Sequence, residues 1–238
     1  MTLTGMALRE LWISFRLLLV VGALLLAALP AALLPHVMSP NLAGAPPDPL
    51  TWQAVALSAA LALAAGVAGG TLASERRRGT AGWFTARAVP RATVALTWFA
   101  AFGVLLAIGL LPLAVVTWLS LSPFLPDGPL PLVSGVIGAC GAGLAAVAAG
   151  LLLGAFLPPL PAVLLATLVT GGALLASAMG QGPSGAWWAL PGDGMRVLAT
   201  LDTAARPVAD GLRAAGAALG VTAVLLVLCV VAFERTDL

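Results

Sequence analysis

The sequence predicts an all-α integral membrane protein of six transmembrane helices, with an N-terminal interfacial helix before the first span and a short cytoplasmic helix between the second and third. Three observations carry this fold class. Hydrophobic residues make up 61% of 238 residues and the mean hydropathy is +1.08, whereas soluble domains are about 45–50% apolar. Only 8% of the residues are charged, and five of the eleven arginines crowd into residues 74–91, SERRRGTAGWFTARAVPR. Between the charged and turn-rich stretches lie apolar runs of about 20 residues or more, the length that crosses a hydrocarbon core.

At the N-terminus, Leu8, Leu11, Trp12 and Phe15 share one face of a helix and Arg9 and Arg16 fall on its flank. This pattern predicts an interfacial helix over about 2–14 with snorkelling arginines. Nineteen uncharged residues then separate Arg16 from His36, broken only by Pro30, and predict a first span over about 15–35. The run exceeds the usual 7–15 residues of a signal-peptide core, so an uncleaved span is expected. Residues 36–50 hold Pro40, Pro46, Pro47 and Pro49 with Asn41 and Gly44, and form an outer loop. A second span covers about 51–73. Its Gly66 and Gly70 make a GxxxG pair, a face that lets another helix, or a second copy of the chain, come close.

Residues 74–91 cannot rest in hydrocarbon, where one arginine costs about 2.5 kcal/mol or more. Arginine-rich loops stay on the cytoplasmic side. Glu75 to Arg78 are expected to continue the second helix, Gly79 to end it and Thr80 to cap a new one; Pro90 closes the short segment that bears Trp83, Phe84 and Arg87.

The third span is predicted over about 93–119 and ends in the turn-rich SPFLPDGPLP. The uncharged residues 128–192 are too long for one helix, and Pro158-Pro159-Leu160-Pro161 divides them into spans near 131–157 and 161–180. Residues 181–213 form an outer segment with Trp187 and Trp188 at the aromatic belt and a short helix between Pro191 and Pro207. There Val197, Leu198 and Leu201 are expected to pack it onto the membrane surface. The sixth span covers about 214–233. This layout puts eight arginines inside and three outside, and so both termini in the cytoplasm.

Several chemistries are excluded. The chain has no lysine for a phosphate-binding loop GxxxxGK[ST], so no conventional ATPase is expected from it. Its single histidine, His36, has no partners for a metal site. Gly182-Pro183-Ser184-Gly185 resembles the GxSG of intramembrane proteases, but no histidine base follows it, and it reads as a turn. Cys140 and Cys229 lie in apolar runs as small hydrophobes. The arginines form no nucleic-acid patch. Within the spans, Gln53, Ser58, Thr97, Thr117, Thr167 and Thr170 could line a pathway, although Ser and Thr hydroxyls also bond their own helix backbone. Apart from Arg16 at the entry of the first span, no ionisable side chain other than the thiols falls in a span, which disfavours ion-coupled transport and points to an energy source outside the chain.

Glu75-Arg76, then Gly79-Thr80, then Pro90-Arg91 leading into an apolar helix resembles the first cytoplasmic loop of type-2 ABC transporter permeases. The chain departs from that pattern at Thr97-Trp98, where the family often has Gly-Lys. Its end, Phe-Glu-Arg-Thr-Asp-Leu, is similar to the family's tails. The resemblance implies a multi-pass subunit of a bacterial-type plasma membrane that exports a hydrophobic or amphipathic substrate. It implies a separate ABC ATPase subunit carrying ATP and Mg as a partner, a second permease copy, identical or related, and no cofactor in this chain. It makes the short cytoplasmic helix a coupling helix, with Glu75, Arg76, Gly79, Thr80, Arg87, Pro90 and Arg91 as ATPase contacts; Trp83 and Phe84 are the buried anchors expected there, because aromatic residues dominate interface energetics. Anionic lipid headgroups are the competing partner for the arginines. A non-transport membrane anchor or sensor subunit is the alternative function, and a membrane-embedded enzyme the third.

Overall fold

A computed structural model describes residues 3–30, 32–33, 49–78, 90–121, 129–180, 192–201 and 206–235. Eight helices run through them: α1 (Leu3–Ile13), α2 (Arg16–Leu26), α3 (Pro49–Arg78), α4 (Arg91–Leu121), α5 (Leu130–Phe156), α6 (Pro159–Ala178), α7 (Asp193–Ala199) and α8 (Pro207–Arg235). Five of them, α3, α4, α5, α6 and α8, are long and apolar enough to cross a membrane. The all-helical, multi-pass character is therefore as expected.

The first span departs from its expected form of one helix over 15–35. Helix α1 ends at Ile13, and Phe15 takes a left-handed backbone, φ 58°, which costs a bulky residue about 1–2 kcal/mol. Helix α2 then has 11 residues, about 16 Å of rise against a core of about 30 Å. The cause of its end is Pro30. That ring lacks an N–H and clashes with the carbonyl four residues back, at Leu26, the last residue of α2. The chain tightens there, with the Ala28 N–H donating to Leu25 O, before Ala32 bonds back to Ala28. The predicted apolar face of α1 also divides. Leu11 is fully buried and Leu8 packs beside the core, while Trp12 and Phe15 point outward.

The five long helices begin and end within a few residues of the expected ranges, except that α8 starts at Pro207 instead of about 214. Proline suits the first helical turn, where its missing N–H costs nothing, so Asp210 and Arg213 belong to the helix. Helices α3 and α5 form the centre: α5 packs against α8, α3, α7, α4 and α6, and α3 packs heavily on α6. Helices α4, α6 and α8 turn large apolar side chains such as Leu111, Leu168 and Val227 outward, as a lipid-facing surface requires.

Lipid tails are as apolar as the helices, so association relies on close packing rather than on release of water. Accordingly, the central crossing is built from small residues. A Cβ added at Gly150 would strike the carbonyl of Ala65, and one at Gly154 the carbonyl of Gly69. Helix α8 lies on α5 in the same manner, with Gly141 against Ala215 and Ala218. The short helix expected between Pro191 and Pro207 is α7. It lies across the end of the bundle where α5 begins, with Met195 and Leu198 fully buried and Gly194 against Gly138. Trp187 and Trp188 lie outside the described residues.

Candidate functional site

Alternating helix directions bring the end of α3, the start of α4, the turn from α5 to α6 and the end of α8 to one end of the bundle. Glu75, Arg76 and Arg77 of α3 stand here, and Arg235 of α8. As the sequence suggests, α3 continues through Glu75 to Arg78.

Arg76 is held within the chain. Its guanidinium Nη1 donates to Ala155 O and its Nη2 to Leu157 O at 3.1 Å. The sequence of the turn makes those carbonyls available. In a continuing helix Ala155 O would accept from residue 159 and Leu157 O from residue 161, and both positions are prolines without an N–H. Pro159 and Pro161 thus leave acceptors open at the negative end of α5, and a cation with several fixed donors fills them. A second tie lies deeper in α3. Arg16 Nη1 donates to Thr71 Oγ1 at 3.0 Å, and the Thr71 hydroxyl donates to Val67 O at 2.7 Å, so α2 is fastened to α3 where α2 begins.

Of the expected ATPase contacts, Glu75 is half-buried, Arg76 engages α5, Pro90 is exposed and Arg91 opens α4. Gly79, Thr80, Trp83, Phe84 and Arg87 lie outside the described residues, and so does the helix expected there.

The polar residues within the spans separate into two groups. Ser58 donates to Ala54 O at 2.7 Å, Thr97 to Thr93 O at 2.7 Å and Thr170 to Ala166 O at 2.6 Å, so each satisfies its own helix. Gly66 and Gly70 of the GxxxG pair face α6, where a Cβ would meet Thr167 and Val163, so this face is used inside the chain. Gln53 is different. Its Nε2 donates across to Thr117 Oγ1 of α4, and Thr117 donates on to Leu113 O at 2.8 Å.

At the opposite end, α7 carries a carboxylate in a poor setting. Burial pushes the Asp193 carboxyl above its ordinary range, and Arg196 beside it acts in the lowering direction. Cys140 and Cys229 are both free thiols. Among the described residues no group of three His, Cys, Asp or Glu side chains could hold a metal. No protein-family model, curated protein or solved structure matches the chain.

Proposed function

We propose that the chain is the membrane-spanning subunit of an ATP-driven ABC transporter, working with a separate ATPase subunit and a second permease copy to export a hydrophobic or amphipathic substrate. One observation carries the reading. Helix α3 runs past membrane length to Arg78, and α4 resumes at Arg91 at the same end, so the interval bearing Gly79-Thr80, Trp83, Phe84 and Pro90 joins two helix ends on the arginine-rich face of the bundle. A membrane subunit without its own nucleotide site needs a segment of this kind, outside the spans, to receive mechanical work. Aromatic side chains make strong interface anchors, and the neighbouring arginines steer and orient an acidic partner surface.

Arg76 has a specific place in this reading. By joining the end of α3 to the turn between α5 and α6, it would carry a displacement at the end of α3 into three helices at once. Affinity purification of the full chain from native membranes in mild detergent tests the proposal. An ATP-hydrolysing protein should accompany it in stoichiometric amount; recovery of the chain alone, with no ATPase activity, would overturn the reading.

A further inference from the structure

Gln53 and Thr117 are both fully buried. Each lies one turn inside its helix, Gln53 from the start of α3 and Thr117 from the end of α4. They therefore meet at the bundle end opposite the arginines. The amide Nε2 is occupied by Thr117 and the Thr117 hydroxyl by Leu113 O. Gln53 Oε1 has no hydrogen-bond partner among the described residues. Such an orphan is costly in an apolar setting, where a buried acceptor needs a donor. An apolar side chain would pack at this place without that cost.

Two further features bear on what reaches Oε1. Trp52 and Trp118 adjoin the pair in sequence, Trp52 exposed and Trp118 partly buried, and tryptophan at a helix end marks the depth where hydrocarbon gives way to water. Helices α3 and α4 also pack on one another only lightly, whereas α3 grips α5 and α6. The seam that holds Gln53 thus parts more easily than the α3–α5 and α3–α6 crossings.

We propose that the α3–α4 seam at this end is a polar entrance in which Gln53 Oε1 accepts a hydrogen bond from an incoming donor. The donor is either water or the hydroxyl or ammonium group of an amphipathic solute; only the second source rests on the transport reading. Thr117 holds the amide so that its oxygen faces the seam. A closed seam strands the acceptor, and an occupied one satisfies it.

Cysteine accessibility tests this in the full chain, reconstituted in lipid nanodiscs with Cys140 and Cys229 replaced by alanine. Gln53→Cys and Thr117→Cys should react with a charged methanethiosulfonate at least about tenfold faster than Leu57→Cys, the ratio that about 1.4 kcal/mol of exposure produces. Leu57 is a fitting reference because it is fully buried on the same helix. Slowing of the Thr117→Cys reaction, in which Gln53 is retained, by octylammonium or octanol assigns the donor to a solute; an unchanged rate assigns it to water. Equal, slow reaction at all three positions would overturn the proposal. As a second readout, Gln53→Leu in the otherwise native chain should lower the unfolding temperature, since it removes a satisfied acceptor. A raised temperature would mean that the acceptor stays unsatisfied in most of the folded protein, and would overturn the proposal independently. Neither measurement involves an ATPase, so either result leaves the proposed function to its own test.

Discussion

Arg76 Nη2 lies 3.1 Å from Leu157 O although 81 residues separate them in the chain. This bond and its companion to Ala155 O close the end of α5 that Pro159 and Pro161 leave open. Arg76→Ala should therefore destabilise the protein by about 1–3 kcal/mol, the cost of stranding two part-buried acceptors. Arg76→Lys should restore part of the loss, because an ammonium has no rigid fork to span two carbonyls. Thermal unfolding in detergent measures both. Unchanged stability in Arg76→Ala would remove the structural role assigned to this residue.

A pair of glycine substitutions examines the central crossing. Gly150→Ala would press a Cβ into the backbone of Ala65, while Gly216 on α8 has open space around it. The first should cost about 1–3 kcal/mol by overpacking. The second should be neutral or stabilise by up to about 1 kcal/mol, the helix propensity of alanine over glycine. Equal effects at the two positions would contradict the packing described for α3 and α5.

Asp193 gives a pH dependence of definite sign. Burial raises its folded-state pKa above the unfolded value, so the folded protein binds more protons through the interval between the two. Its contribution to stability then falls as pH rises through that interval and stays low above it. Asp193→Asn should consequently unfold at a higher temperature than the parent at neutral pH, with the difference shrinking as pH drops below the ordinary carboxylate range. A difference that grows on acidification would reverse the assignment.

The fold was legible where one physical constraint decides. Uncharged runs matched to bilayer thickness place α3, α4, α5, α6 and α8, and the two prolines flanking a short polar segment place α7. It was not legible where two constraints compete. Apolarity favours one span through residues 15–35, yet Pro30 ends α2 at Leu26 and the left-handed Phe15 breaks the chain before it. The site divides likewise. The i−4 bonds of Ser58 and Thr170 follow from helix geometry alone. The Gln53–Thr117 bond joins residues 64 apart, and the Arg76 contacts depend on which helix ends share one face of the bundle. Proline spacing marks Ala155 and Leu157 as acceptors in need of a donor, but nothing in sequence says that Arg76 supplies it.

Under the proposed function, residues 79–90 receive an ATPase. The decisive measurement is the partner content and ATP-driven transport of a Trp83→Ala, Phe84→Ala double variant, reconstituted beside the parent after both show the same unfolding temperature. Under that function the double variant stays folded in the membrane, loses the copurifying ATPase and loses transport. Retention of both the partner and full ATP-dependent transport would contradict it.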